Sequence, residues 1–379
     1  MTAHAKLSAS SAHRWLACPG SVAAEVGLPD RRTVFADEGT VAHELADMAL
    51  SAGTDCVDFI GVQPLDDIDI EVTQEMADYV QQYVDFVREL GGSQLYEQRV
   101  DFSEWVKDGF GTSDAIIIKN NKMTVVDLKF GKGHRVDAEQ NPQGILYALG
   151  AFSDYGFLHE VEIVEIVIIQ PRLDHISVWT TTKDHLFKKG EWISERAALT
   201  EQPNAERVPG DEQCQWCKAK GTCAALQKKT HAIIATDFDN LDKIKNPDTL
   251  TDDEVRAALD AKKLITSWFD AVENTVTQRL AAGNTFPGYK LVSGRSSRDW
   301  GDVAEAVKVL ESQLGENAWE RKLQSVAKAE KLLGKSKVSI IEPLINKKAG
   351  RPTLAKASDP RPAVGASADD FETFDDTGE

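Results

Sequence analysis

Long apolar runs are missing from this 379-residue chain. None approaches the roughly 20 residues that a membrane-spanning helix needs, so no membrane association is expected. The opening stretch Met1-Thr-Ala-His-Ala-Lys-Leu-Ser lacks a hydrophobic segment of the signal-peptide kind, and secretion is not expected either. Positive charge is scarce: 43 Lys and Arg stand against 61 Asp and Glu, giving a net charge of −18 and a pI near 4.9. That balance argues against the simplest nucleic-acid binder, which is basic overall. Cysteine is scarce too, with five residues, three of them bunched too tightly for a secreted disulfide framework. Unpaired cysteines at metal-ligand spacing imply a reducing, cytoplasmic setting.

The shortage of positive charge is uneven. Residues 320–361 carry eleven Lys/Arg against four acids, including Lys347, Lys348, Arg351 and Lys356. Residues 362–379 carry six acids and no base. Local basic grooves bind phosphate whatever the total charge, so DNA binding remains compatible with the composition.

What the chain has is a pair of carboxylates and an ammonium on two adjacent predicted strands. Asp114-Ala-Ile-Ile-Ile-Lys119 reads as a strand, Asn120-Asn121 as a two-residue turn, and Met123-Thr-Val-Val-Asp-Leu-Lys129 as the returning strand. Side chains alternate along a strand, so Asp127 and Lys129 share a face and Leu128 points the other way, into the core. Carboxylate oxygens suit a hard divalent cation such as Mg2+ or Mn2+. A lysine beside such an ion orients or deprotonates an attacking water. Taken alone the triplet is weak, since a solvated Asp-Lys pair at a strand end is common.

The set Ser113-Asp114 and Asp127-Leu128-Lys129 resembles the PD-(D/E)XK nuclease superfamily, with Ser113 where the name has proline. Gly39-Thr-Val-Ala-His43-Glu44 on a predicted helix, Glu97 on the preceding strand and Gln143-Gly-Ile-Leu-Tyr147 on a following helix are similar to its RecB-like branch. The Gln-x-x-x-Tyr spacing sets both polar groups on one helical face. The resemblance covers roughly residues 8–230, with the motifs in the family's order. It implies that His43, Asp114, Asp127 and the backbone carbonyl of Leu128 bind metal, that Lys129 holds the water, and that Gln143 and Tyr147 steady the site or touch phosphate. The opening Leu7-Ser-Ala-Ser-Ser-Ala-His13-Arg-Trp15-Leu-Ala-Cys18-Pro19-Gly-Ser21 looks like a phage or prophage branch.

Cys214, Cys217 and Cys223 form Cys-x2-Cys-x5-Cys and need a fourth ligand, for which Cys18 is the candidate. One cysteine ahead of the core and three behind it is the arrangement of RecB-like nucleases, AddB among them, that carry a [4Fe-4S] cluster. That resemblance implies such a cluster here. A structural Zn2+ on the same four thiolates is the alternative. Cys56 fits neither pattern and reads as a small buried hydrophobe.

The expected fold class is α/β: a restriction-endonuclease-like core with a mixed central sheet flanked by helices, then a helical C-terminal extension. Helices are expected near 10–26, 40–52, 71–91, 140–153, 183–199 and 251–281. Strands are expected near 95–100, 113–119, 123–130, 161–169 and 175–181, with a short one at 289–292. Three regions follow: 1–232 as the nuclease domain with its cysteine-bound cluster, 233–349 as mostly helical, and 350–379 as a disordered tail. The expected activity is metal-dependent hydrolysis of DNA, chiefly as an exonuclease with a single-stranded or end-containing substrate, in phage recombination, repair or replication. The competing expectation is a non-catalytic adaptor that keeps the fold. Asp369–Glu379, with two phenylalanines among carboxylates, is either a solubilising end or a peptide that docks on a recombination or single-strand-binding protein.

Overall fold

The structure, a computed structural model, describes residues 5–28, 34–237 and 251–290. All belong to one compact unit, Met1–Val292; the other, Ser293–Glu379, lies outside the described residues. So do the basic stretch and the acidic tail, and the end of the strand expected at 289–292.

Five strands form one mixed sheet in chain order: β1 (Ser93–Asp101), β2 (Phe110–Lys119), β3 (Lys122–Leu128), β4 (Ile163–Gln170) and β5 (His175–Thr182). The neighbours are antiparallel except β3 and β4, which run parallel. A parallel pair needs a crossover, and helix α5 (Pro142–Ala151) lies within it. Lys119 pairs with Lys122 around the Asn120-Asn121 turn, and Asn120 takes the left-handed φ of 57° that asparagine tolerates.

Alternation along the strands builds two cores. Ile116, Ile118, Met123, Val125, Val164, Ile166 and Ile168 face one side, while Ala115, Ile117, Val126, Leu128, Val167 and Ile169 face the other. On the first side pack α5 and two further helices, α1 (Ala12–Ala17) and α6 (Lys183–Thr200); on the second pack α3 (Val34–Ala52) and α4 (Gln74–Leu90). The result is a three-layer α/β/α arrangement.

Local chemistry explains the helix ends. Thr73 caps α4 by accepting from Met76 N at 3.1 Å, and Gly91 and Gly92 end it with φ of 63° and 81°. Asn141 caps α5 by accepting from the amides of Gln143 and Gly144, with Pro142 at the first helical position. Gly144 lets α5 sit close on β4: a Cβ there would meet Ile166 Cγ2 at 2.5 Å.

The expected helix 10–26 is interrupted. A 3-10 turn (Ala9–Ser11) and α1 end at Cys18-Pro19-Gly20, and a short α2 (Ser21–Glu25) follows. Proline disfavours helical backbone in the residue before it, and Cys18 accordingly has φ −130°, ψ 81°. The helix expected from residue 40 instead begins at Val34. Past the sheet come α7 (Asp211–Gln215), α8 (Ala224–Asp237) and α9 (Asp252–Ala281), with Leu264 and Trp268 of α9 packed against Cys214 and Leu226.

Candidate active site

Asp114 and Asp127 face each other across β2 and β3, on the side of the sheet that carries α5. Register puts Ala115 opposite Val126, hence Asp114 beside Asp127. Asp114 Oδ2 accepts the Leu128 amide at 2.7 Å, and its Oδ1 lies 3.3 Å from His43 Nδ1, delivered by α3. Lys129 Nζ lies 2.9 and 3.2 Å from the two Asp127 oxygens and donates to Gln143 Oε1 at 2.8 Å. Gln143 Nε2 in turn donates to the Tyr147 hydroxyl at 3.3 Å. A chain of contacts thus runs from Asp127 through Lys129 and Gln143 to Tyr147. Tyr147 is only 8% exposed, which suits steadying the site better than touching substrate.

Glu97 completes the arrangement. Its Oε1 stands 4.0 Å from His43 Nδ1, and its backbone φ of 41° is unusual for a residue with a side chain. The Tyr96–Ala115 and Gln98–Ser113 pairs flank it, while Glu97 itself makes no ladder pair with Asp114. Among the described residues, His43, Glu97 and Asp114 are the three whose ligand atoms lie within 4.8 Å of one another. Asp127 stands beside them, engaged by Lys129.

Burial and like charge set the protonation states. Burial and the neighbouring Asp114 raise Glu97 to about 7, with His43 pulling the other way. Burial alone would lower His43, but the Asp114 carboxylate outweighs it and raises His43 to about 9. For Asp114, burial opposes ionisation yet is outweighed by His43, Lys129 and the Leu128 amide, so its pKa falls. Asp127 goes the other way: burial and Asp114 raise it against the pull of Lys129. Lys129 is held charged, because Asp127 and Asp114 outweigh its own burial.

A cation would find real vacancies in bonding here. Asp127 Oδ2 is buried and, although near the ammonium, has no donor aligned with it for a hydrogen bond. The donor set of carboxylates and one imidazole suits Mg2+ or Mn2+.

The cysteines gather elsewhere. Cys18, Cys214, Cys217 and Cys223 line one small cavity, joined by Arg207 and Lys220. Backbone amides of Val208 and Gly210 donate to Cys18 Sγ at 3.2 Å and Cys214 Sγ at 3.4 Å. Gly20 makes room for this: a Cβ there would collide with the carbonyl of Ala205, and Gly20 N bonds Glu206 O at 2.8 Å. Burial pushes the thiols of Cys18 and Cys214 up, and that of Cys217 up to about 12. Cys56 is separate and fully buried in the α3–α4 core.

Over residues 4–362 the chain matches the family described as "Protein of unknown function (DUF2800)". The chain belongs to this family. A solved structure titled "Crystal structure of SSO0001" is similar to this DUF2800 protein at 16% identity, covering 56% of this chain and 85% of that one, with a TM-score of 0.26. Among the described residues of this family member, no helix is long and apolar enough to cross a membrane.

Sequence assigns no metal-binding role to two contributors. Glu97 stands out only through the resemblance, as an acid on the strand before Asp114, and its Oε1 approaches His43 Nδ1 here. Tyr83, fully buried with its hydroxyl unbonded, feels Asp114, Glu97 and Asp127. It sits among Met76, Val80, Val84 and Val87 at helical spacing, so the sequence marks it as core.

Proposed function

We propose that this protein is a Mg2+- or Mn2+-dependent DNA nuclease of PD-(D/E)XK type, RecB-like, with a structural [4Fe-4S] cluster on Cys18, Cys214, Cys217 and Cys223. The observation that carries the reading is the meeting of Asp114, Asp127 and Lys129 on adjacent strands with His43 and Glu97 closing in from α3 and β1. A divalent cation held by His43, Asp114 and Asp127, with Glu97 and the Leu128 carbonyl available to it, would supply positive charge to the phosphodiester as it reacts. Lys129, charged and anchored by Asp127 and Gln143, orients a water for in-line attack. Glu97, raised to about 7 in the metal-free site, would give up its proton on joining the cation.

The four thiols line one common cavity, and backbone amides donate to two of them. One cysteine ahead of the core and three behind it is the arrangement that favours a cluster, through the family resembled, with Zn2+ on the same thiolates as the alternative. A DNA-processing partner for the acidic tail belongs to the same reading, on charge alone.

End-labelled linear and circular DNA incubated with Mn2+ tests the activity. Release of label from linear DNA with circles left intact is the expected exonuclease pattern. Wild-type protein that cuts neither substrate, with iron loaded and Mn2+ present, refutes the reading and leaves the adaptor.

A further inference from the structure

Lys129 opens onto a cleft of about 630 Å³ that is also lined by Trp216, one of the two residues between Cys214 and Cys217. Trp216 is 64% exposed, a large aromatic surface kept in water. It is nonetheless positioned: the His134 ring meets it edge-on at 6.2 Å, and His134 is held by Gln215 at 2.8 Å. The cysteine loop fixes its backbone on one side and the loop after β3 braces its ring on the other.

A second cleft, of about 580 Å³, adjoins the same ring. Ser10, His13 and Trp216 line both, so the two are continuous. The chemistry differs between the two. The first cleft includes Glu139 and Glu212 beside Arg135 and Lys129, so charge alone gives it little hold on a polyanion. The second is lined by Lys6 and Lys218 and by the hydroxyls of Ser8 and Ser11, which bond each other at 2.8 Å, and its one acid, Glu25, pairs with Arg14 at 2.8 Å and accepts the Lys218 amide. That lining of hydroxyls and ammonium groups complements phosphate.

Resting on the nuclease reading, we propose that Trp216 is a stacking platform for an unpaired base of a single nucleic-acid strand, whose backbone leaves the catalytic cleft over this ring and continues into the Lys6–Lys218 cleft. A base face on an indole face is the sequence-tolerant contact used for single strands. A base within a duplex has no free face to offer it. The cysteine centre then acquires a second task, which is to hold the ring in register with Lys129.

The experiment is fluorescence anisotropy of labelled oligodeoxythymidylate, its ribo counterpart and a blunt duplex on the iron-loaded full-length protein, with Ca2+ in place of Mg2+ to hold turnover down. Trp216→Ala should weaken single-strand binding about 5- to 150-fold, the loss of one stacked base. Trp216→Phe should keep most of the affinity, and duplex binding should not change. Lys6→Gln should lower the salt slope by about 0.7, one phosphate contact fewer. Iron content of each variant, read by visible absorbance, should equal that of wild type. Whichever single strand shows the larger Trp216 dependence identifies the sugar. Unchanged single-strand affinity in Trp216→Ala overturns the inference, as does an equal loss on duplex, even where wild type cleaves DNA. Trp216-dependent binding by a protein that never cleaves would keep the platform and remove the nuclease.

Discussion

Replacing Lys129 with methionine keeps the length of the side chain and removes its charge, leaving the carboxylate of Asp127, 4% exposed, without its ammonium. Breaking a buried pair from one side costs about 3–5 kcal/mol. The Lys129 side chain is 29% exposed and so partly solvated, which places the expected loss at the lower end, about 3 kcal/mol. In a unit of this size that is roughly 6–12 °C in Tm. The sign with pH is fixed by Asp127, whose folded pKa already lies above the ordinary value and rises further without the lysine. A raised carboxyl costs nothing below the unfolded pKa near 4, and its cost grows as pH rises toward the folded value. Lys129→Met should therefore melt close to wild type at acid pH and well below it at pH 8. Asp127→Asn in the same background removes the stranded charge and should recover much of the loss, while cleavage stays down about 10²–10³-fold. Thermal melts of the four proteins at both pH values, with Mn2+ cleavage rates, complete the cycle. A double variant less stable than Lys129→Met would refute the coupling, and wild-type cleavage by Lys129→Met would remove the lysine from the reaction.

Metal-free wild type should also lose stability with rising pH: Glu97 and His43 have folded pKa values of about 7 and about 9, both above their unfolded values, so their contributions are full at low pH and fade through those values. Because a cation must displace those protons, Mn2+ should raise Tm more at pH 8 than at pH 6, and a Mn2+ effect that shrinks with pH would contradict the site. Protein purified without oxygen should be brown with about four irons per chain, and Cys18→Ser, Cys214→Ser, Cys217→Ser or Cys223→Ser should lose them while Cys56→Ser keeps them; a colourless protein with one zinc would decide for the other metal. Asn141→Ala should destabilise the protein by about 1 kcal/mol through the lost α5 cap, seen as a lower denaturation midpoint at unchanged slope.

The hairpin was the most legible part of the chain, because period-two alternation, a double-asparagine turn and a polar pair at the strand end all specify one register. Strand β4, apolar throughout its second half, announced a sheet interior for the same reason. Helix 10–26 was misjudged where Pro19 breaks a continuous apolar pattern, a backbone effect that periodicity does not register. The site was legible where its residues are close in sequence, as with Asp127 and Lys129. The contact of His43 with Asp114 joins residues 71 apart, and no local pattern encodes it. Trp216 reads as any loop aromatic until its exposure and the two clefts it lines are known.

The amino-terminal segment has a consequence for synthesis. Helix α1 packs chiefly on α5, α6 and α7, all beyond residue 141. Arg196 holds Leu16 O at 2.8 Å, Val208 reaches Cys18, and the Lys218 amide bonds Glu25. Residues 12–17 therefore have no docking surface until more than a hundred residues after them have been made, a wait of ~5–25 s at ordinary elongation rates. During that time Trp15 and Leu16, wholly buried in the finished fold, travel exposed. Cys18, at the end of this helix, waits longer still, because Cys214, Cys217 and Cys223 are made only after all five strands of the sheet.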